Sequence, residues 1–342
     1  MHVAGNALVD SHGQPMRLLG VNRSGAEYAC IQGWGFFDGP VDDASVAAIA
    51  TWHVNAVRVP LNEACWLGLA GAPAAYSGAA YRQQIADFVA RLNDAGLVAV
   101  LDLHWSTAGS TPAKGQQLMA DAAHAPDFWR SVAARFRDDP GVVFDLYNEP
   151  HDISWGCWRD GCTTADGWDA AGMQSLLDAV RSTGASQPVI ATSNGWGNDL
   201  SGWLTHRPSD PLRQLVAGIH LYDFTGCAKP VCWGSDVAAI QRVVPAVTTE
   251  LGETDCASGF VDAYMDWADA AGVSYLAWTW DTWDCAGGPA LIRSYDGEPT
   301  AFGAGFRDHL ALLAQSRRRS RHHRVRRARA LRLRLSLSRS AR

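Results

Sequence analysis

The chain has 342 residues, 47% of them hydrophobic and 19% charged, and its formal net charge is −6. This composition is typical of a globular protein with a large core. No run of 18 or more apolar residues occurs, so we expect no membrane span.

Eight short apolar runs bounded by turn residues predict eight strands. They cover Arg17–Asn22, Ala56–Leu61, Val98–Trp105, Val142–Glu149, Pro188–Trp196, Leu215–Tyr222, Ala246–Glu250 and Ser274–Trp280. Helical stretches are predicted at Val41–His53, Tyr81–Ala95, Asp127–Arg137, Trp168–Thr183, Gly259–Ala271 and Thr300–Leu313. Continuous apolar strands that alternate with helices indicate a parallel sheet, and eight of them close into a single (β/α)8 TIM barrel of the α/β class.

The first residues precede this alternation. Residues 3–13 predict a hairpin with a turn at Asp10-Ser11-His12-Gly13, which would plug the floor of the barrel. The stretch lacks the pattern of a signal peptide.

Two glutamates stand where predicted strands end. Glu149 lies in Asn148-Glu149-Pro150 at the end of the fourth strand, and Glu250 ends the seventh. An isolated glutamate in such a place is more often a helix cap or an ion-pair partner. The carboxyl ends of barrel strands nevertheless display catalytic groups, and two carboxylates there are the minimum for hydrolysis of a glycosidic bond.

Further motifs occur in order along the chain. The set consists of Arg58 in Val57-Arg58-Val59-Pro60, His104 in Leu101-Asp102-Leu103-His104-Trp105, Asn148 and Glu149, His220 and Tyr222 in His-x-Tyr, Glu250 in Glu-Leu-Gly, and Trp278 in Ala277-Trp278-Thr279-Trp280. Together these motifs resemble glycoside hydrolase family 5, the cellulase family. The resemblance spans roughly residues 15–312. It implies a retaining β-glycoside hydrolase, for which we expect no cofactor and no metal.

The resemblance also implies roles for these residues. Glu149 is expected to be the general acid/base and Glu250 the nucleophile. Arg58 would lie beside Glu250 and keep it ionised, because a neighbouring cation lowers the pKa of a carboxyl group. Tyr222 would donate a hydrogen bond to the same carboxylate.

The remaining matched residues are expected to contact the sugar. His104 and His220 would hydrogen-bond Glu149 or the sugar, Asn148 would bind the 2-hydroxyl, and Trp278 would lie under the pyranose ring. Tryptophan is also abundant in the segments that follow strands, at Trp34, Trp66, Trp105, Trp155, Trp158, Trp196, Trp233, Trp280 and Trp283. We expect at least three of these to line a sugar-binding cleft. The alternative, purely structural interpretation is that half of them pack the loops.

The favoured substrate is a β-linked glucan, cut at internal β-1,4 bonds as by a cellulase. Alternative substrates are mannan, a β-1,3 or β-1,6 glucan, or a small glycoside bound in an exo-acting pocket. From another class, a carbohydrate-binding barrel without turnover is the alternative, although two intact glutamates speak against it. We expect a polysaccharide or oligosaccharide as partner, no nucleic acid, and a monomer.

Eight cysteines all fall between a strand end and the next helix, on the rim that carries the two glutamates. They are Cys30, Cys65, Cys157, Cys162, Cys227, Cys232, Cys256 and Cys285. Equal short spacings favour the pairs Cys157–Cys162 and Cys227–Cys232, and strand adjacency favours Cys30–Cys65 and Cys256–Cys285. Zinc ligation is the competing interpretation, which the spacing and the lack of a nearby histidine pattern disfavour.

Disulfides that staple the loops after the strands would imply export to an oxidising compartment. We therefore expect a secreted or extracytoplasmic protein. The missing signal peptide would then reflect a trimmed or misassigned start.

The C-terminal residues differ in charge from the rest. Residues 317–342 contain 12 Arg and no acidic residue, whereas residues 1–316 carry 17 basic and 35 acidic side chains, a net charge of −18. We divide the chain into a catalytic barrel, residues 1–316, and an Arg-rich tail, residues 317–342. The tail could attract polyanions, dock on the acidic barrel, or be an extension from a shifted reading frame, and its charge density favours a disordered segment without a specific role.

Overall fold

Eight parallel strands close into a barrel in the computed structural model, which describes residues 1–284 and 288–316. In chain order they are β1 Leu19–Asn22, β2 Ala56–Asn62, β3 Val98–Trp105, β4 Val142–Asp145, β5 Val189–Thr192, β6 Leu215–Tyr222, β7 Ala246–Gly252 and β8 Ser274–Ala277. Each strand pairs with its sequence neighbours, and β8 pairs with β1. The predicted (β/α)8 barrel is confirmed.

Three strands end earlier than predicted. β4 ends at Asp145, β5 at Thr192 and β8 at Ala277, each three to four residues short of the predicted end. Beyond β5, Gly195 and Trp196 take left-handed backbone conformations, with φ of 58° and 61°, which a strand cannot include. The apolar pattern therefore continued past the end of the strand and into the loops that carry the site.

Helices lie outside the barrel. The longer ones are Asp43–Ala50, Ala79–Asp94, Ala125–Phe136, Met173–Arg181, Gly259–Ala271 and residues 301–316. Shorter helical segments are Ala29–Gln32, Glu63–Leu67, Ala74–Tyr76, Trp155–Asp160, Asn194–Gly197, Trp203–His206, Pro230–Cys232, Trp233–Val237 and Ala238–Gln241. None of the helices in the described part of the chain is both long enough and apolar enough to cross a membrane.

The prediction of a helix over residues 168–183 is wrong at its start. A two-stranded hairpin, Cys162–Thr163 with Asp169–Ala170, takes up the first residues, and the helix begins at Met173. The disulfide Cys157–Cys162 ties this hairpin to the preceding helical turn. Gly172 precedes the helix and passes so close to the backbone around Gly161 that a side chain would not fit there.

The N-terminal residues close the floor of the barrel, as predicted. His2–Ala4 pairs with Ala7–Val9, which pairs with Pro15–Met16. Val3 and Leu8 are buried and pack against a layer of aliphatic side chains from the barrel strands, namely Ala56, Val100, Val143, Ile190, Val216, Val247 and Leu276. A larger apolar cluster fills the space between the barrel and the helices.

Three of the expected disulfides form at the opposite end. Cys30–Cys65 joins the segments after β1 and β2, and Cys157–Cys162 and Cys227–Cys232 each close a short loop. The fourth expected bond, Cys256–Cys285, involves a residue outside the described ranges. The predicted tail, residues 317–342, also lies outside them.

Candidate active site

Two β-bulges lie where the strands reach the candidate site. Between β6 and β7, Ile219 is opposite Thr248 and His220 is opposite Glu250, so Thr249 is an extra residue. Between β2 and β3, Asn62 is opposite Trp105, which makes His104 the extra residue there. A bulge re-aims the side chains beside it, and both bulges lie directly at predicted site residues.

Arg58 on β2 is fully buried at the centre of the upper barrel. Its guanidinium forms ion pairs with Asp102 at 3.0 Å, Asp145 at 2.9 Å and Glu250 at 2.8 Å. It also donates to the side-chain oxygen of Asn148 at 2.8 Å. These carboxylates raise the pKa of Arg58 against the effect of burial, so the group stays charged.

Glu250 is held at both carboxylate oxygens. Oε1 accepts from Arg58, and Oε2 accepts from the hydroxyl of Tyr222 at 2.6 Å. Burial and the adjacent Glu250 raise the pKa of Tyr222 well above its ordinary value of 10, so Tyr222 remains a donor. A carboxylate that accepts from a cation and from a phenol has a defined orientation.

Glu149 lies opposite Glu250 and has neutral partners. His220 Nδ1 is 2.8 Å from Oε1 of Glu149, and Gln116 donates to Oε2 at 2.8 Å. Burial lowers the pKa of His220 to about 3, so its imidazole is neutral. Burial also raises the pKa of Glu149 above 4.5, which favours its protonated form.

His220 bridges the two glutamates. Its Nδ1 is 2.8 Å from Glu149 and 3.5 Å from Glu250, and one carboxylate oxygen of each glutamate lies within 4.8 Å of the other. The site therefore contains one carboxyl group that favours its proton beside one that is held by a cation.

His104 contacts an aspartate and an amide of the site. Its Nδ1 is 2.7 Å from Asp102, and its Nε2 is 3.4 Å from the amide nitrogen of Asn148, while its expected bond to the sugar stays a prediction. Its ring stacks on Trp278 with 5.5 Å between centroids. Burial lowers the pKa of His104 to about 4, so it too is neutral.

Three site residues were not assigned a place in the site from the sequence. Asp102 and Asp145 were not placed in the site from the sequence, and both bind Arg58 inside the barrel. A signal existed, because each is a charged residue inside an otherwise apolar strand. Gln116 carries no such signal, since it lies in a long loop after β3 and its contact with Glu149 depends on the path of that loop.

Aromatic rings lie in the segments at the strand ends that carry the two glutamates. Tyr28, after β1, lies next to Trp34, Trp105 and Trp283, with centroid distances of 5.8 to 6.4 Å, and Trp283 adjoins Trp278. Beyond β4 and β5, His151 stacks on Trp196 at 3.5 Å. Other rim tryptophans, Trp66, Trp158, Trp233 and Trp280, are buried and pack the loops.

Two groups of side chains in the described ranges could hold a metal ion. One is Glu149, His220 and Glu250, which is the carboxylate pair itself, and the other is Glu63, Asp121 and His124. In the second group the hydroxyl of Thr107 lies 2.9 Å from Glu63 and 2.6 Å from Asp121. These bonds anchor both ends of the loop after β3 to the helical turn after β2.

Comparison with known proteins gives a family match over most of the chain. The sequence model of the family described as Cellulase (glycosyl hydrolase family 5) matches residues 9–284. Mannan endo-1,4-beta-mannosidase of Salipaludibacillus agaradhaerens is 24% identical over 292 residues, which cover 82% of this chain and 80% of that protein. Endoglucanase 1 of Robillarda sp. (strain Y-20) is 29% identical over 268 residues, 66% of this chain and 64% of that protein.

Solved structures share the fold. A β-glucanase from Saccharophagus degradans, in complex with cellotetraose, superposes with a TM-score of 0.69 at 21% identity. The match covers 91% of this chain and 93% of that one. The catalytic domain of a mannanase from Streptomyces sp. SirexAA-E superposes with a TM-score of 0.65, also at 21% identity, over 89% of this chain and 88% of that one.

Proposed function

Because the chain belongs to glycosyl hydrolase family 5 and is a β-glycoside hydrolase, we propose that it cleaves internal β-1,4 bonds of a glucan with retention of configuration. The observation that carries the proposal is the pair Glu149 and Glu250, whose carboxylate oxygens approach within 4.8 Å around His220. Carboxyl groups about 5 to 5.5 Å apart are typical of retaining enzymes, whereas inverting enzymes separate them by about 6.5 to 9.5 Å to admit a water.

In the first step Glu250 attacks the anomeric carbon as a carboxylate, and the bond from that carbon to the leaving oxygen breaks. Glu149 gives its proton to the leaving oxygen. The pKa of Glu149, raised by burial, supports the acid role, and the bonds from Arg58 and Tyr222 support the ionised nucleophile.

In the second step Glu149, now a carboxylate, takes a proton from a water molecule whose oxygen attacks the anomeric carbon. The bond to Glu250 breaks, and the sugar leaves with its original configuration. Asn148 lies beside Glu149 and would bind the sugar 2-hydroxyl. Trp278, stacked on His104, would support the pyranose ring.

The aromatic residues at the strand ends support the proposal that the substrate is a long sugar chain. Tyr28, Trp34, Trp105 and Trp283 form one group at the ends of β1, β3 and β8, and Trp196 with His151 forms another beyond β4 and β5. Trp34 is 64% exposed and Trp196 47% exposed. Exposed aromatic faces after separate strands of the barrel are suited to a chain of sugar rings that extends past the cleavage point.

Three disulfides on the rim support a secreted or extracytoplasmic location.

We assign catalysis to residues 1–316 and no catalytic part to the tail, residues 317–342.

Product analysis tests the proposal. The full chain is incubated with soluble β-1,4-glucan, mannan, β-1,3-glucan and β-1,6-glucan, and the anomeric form of the first product is followed by NMR. We expect internal cleavage of β-1,4-glucan and a product that appears first as the β-anomer. An α-anomer would exclude retention, and a clear preference for mannan would overturn the substrate assignment.

A further inference from the structure

The middle of the loop after β3 is fixed against the chain that carries Glu149. The hydroxyl of Tyr147 donates to the backbone carbonyl of Gln117 at 2.8 Å, and the backbone N–H of His151 donates to the carbonyl of Leu118 at 3.0 Å. These two donors lie on either side of Asn148 and Glu149, and the two acceptors directly follow Gln116. The backbone beside Gln116 therefore has a fixed position relative to Glu149.

The carboxamide of Gln116 bridges two side chains of the site. Its Nε2 donates to Oε2 of Glu149 at 2.8 Å, and its Oε1 accepts from Nδ2 of Asn148 at 3.0 Å. The other end of Asn148 accepts from Arg58, and the other oxygen of Glu149 lies against His220. Gln116 thus completes a continuous hydrogen-bonded chain from Arg58 to His220.

The direction of this chain is set by Arg58. A guanidinium has only donors, so the atom of Asn148 that faces it must be the amide oxygen. The amide nitrogen of Asn148 therefore faces Gln116 and donates to it, which turns the oxygen of Gln116 toward Asn148. The nitrogen of Gln116 is left to face Glu149, where it donates to the carboxylate.

We propose that Gln116 is a positioning residue for Glu149: it fixes the orientation of the acid/base carboxyl group and limits the pH range over which that group keeps its proton. The inference rests on the proposed role of Glu149 as acid/base. A donor to a carboxyl group favours the ionised form. Gln116 consequently opposes burial, which favours the protonated form.

Other charged or titratable groups on five strands also act on Glu149. They are Arg58 on β2, Asp102 and His104 on β3, His151 beyond β4, His220 and Tyr222 on β6, and Glu250 on β7. Arg58, His104 and His151 favour the ionised form as Gln116 does. Gln116 differs from these three because its side chain does not titrate and bonds directly to Oε2, so its replacement removes a donor without removing a charge.

The test compares Gln116→Met, Gln116→Glu and, as a matched control, Gln117→Met in the full chain. Gln117 is the next residue, and its hydrogen bond to Tyr147 uses the backbone carbonyl, which a substitution keeps. Methionine keeps the length of glutamine without its donor, and glutamate adds a like charge beside Glu149. The pKa of Glu149 is measured by NMR titration of protein labelled with ¹³C at the glutamate carboxyl, and the signal is assigned by its loss in Glu149→Gln.

We expect the pKa of Glu149 to rise by about one unit in Gln116→Met and further in Gln116→Glu, and to stay in place in Gln117→Met. The basic limb of kcat/KM should move to higher pH by the same amount. The kcat should fall about tenfold for a glycoside with a poor leaving group, and less for an activated aryl glycoside that needs no acid.

An unmoved titration in Gln116→Met would overturn the inference. So would an equal loss of kcat on both substrates with an unchanged pH profile, since that result indicates a purely structural role. The titration requires no turnover, so it is separate from the test of the proposed function. If Glu149 titrated as expected while the chain cleaved no β-linked substrate, the proposed function would be wrong and the contact of Gln116 with Glu149 would stand.

Discussion

The two ends of the barrel interior use the same strands for opposite chemistry. Val100 on β3 and Val143 on β4 belong to the aliphatic floor, and two residues further along the same strands Asp102 and Asp145 bind Arg58. Side chains two residues apart point to the same face of a strand. The barrel interior therefore changes from apolar to charged within two residues toward the C-terminal ends of these strands.

The apolar floor stabilises the barrel, whereas the charged layer positions side chains of the candidate site. Burial of the floor side chains stabilises the fold by about 25 cal/mol for each Å² of apolar surface removed from water. The charged layer must overcome the cost of desolvating its ions before it contributes any stability. Arg58, the cation of this layer, forms an ion pair with Glu250. Substitutions in each layer in turn test the contrast between them.

The largest effect is expected for Glu250, the proposed nucleophile. Glu250→Gln should lower kcat by several orders of magnitude, because an amide cannot form the glycosyl-enzyme intermediate. In Glu250→Ala, added azide should restore turnover and give the α-glycosyl azide, since the small anion fits the space left by the carboxylate. Measured kcat values and NMR of the azide product check this, and full activity of Glu250→Gln would remove Glu250 from the mechanism.

Replacing the cation should affect both stability and activity. Arg58→Met leaves Asp102 and Asp145 buried without their partner, which costs about 3–5 kcal/mol of unfolding free energy. Burial already raises the pKa of both aspartates to about 7, and loss of Arg58 raises it further. Because a protonated aspartate needs no cation, the cost should be smaller near pH 4 and grow as pH rises.

The matched floor variant is Ile190→Val. It removes one methylene group from the aliphatic layer and should cost about 0.5–1.5 kcal/mol with kcat unchanged. Denaturant unfolding at several pH values measures both variants. If Ile190→Val lowered kcat as strongly as Arg58→Met, the two layers would not be functionally distinct.

The pH dependence of kcat/KM should reflect the ionisation of Glu149. Because burial raises its pKa above 4.5, its acid form persists to higher pH than in an exposed glutamate, and kcat/KM should fall as pH rises through that shifted pKa. In Glu149→Gln, activity on a poor leaving group should drop about 10²- to 10⁴-fold, while an activated aryl glycoside is largely spared. Equal losses on both substrates would contradict the acid role.

The disulfides should matter less than the charged layer for activity. Loop-closure entropy predicts a loss of about 4 kcal/mol for the double variant Cys30→Ser with Cys65→Ser, whose cysteines are 35 residues apart. The corresponding variant of Cys227 and Cys232, which are 5 apart, should lose about 2 kcal/mol. Circular dichroism should show an intact barrel in both, and loss of its secondary structure would show that the core depends on these bonds.

The smallest effect is expected for the tail. Removal of residues 317–342 should leave hydrolysis of a neutral soluble glucan unchanged, because every proposed catalytic residue precedes it. Only adsorption to polyanions should change, and that adsorption should weaken as salt rises above about 0.15 M. A lower kcat on a small neutral substrate would place the tail in the fold or the site.

The barrel was predictable because local patterns determine it. Apolar runs and the helices between them predicted all eight strands. The charged residue inside such a run, as at Asp102, is a local signal of the upper layer, although no role in the site was assigned to it from the sequence. The bulge at Thr249 leaves no sequence signal, since it depends on how β7 pairs with its neighbours. The position of Gln116 likewise depends on long-range bonds to Tyr147 and His151, which no local pattern specifies.

Closure of the barrel through β1 and β8 has a consequence for synthesis of the chain. Leu19–Asn22 leaves the ribosome before its partner Ser274–Ala277, which follows roughly 250 residues later. At about 5–20 residues per second, the edge of β1 waits roughly 13–50 s for that partner. During this time an apolar strand has one unpaired side, so a chaperone that shields nascent edges should raise the yield of active enzyme more than it accelerates any later step.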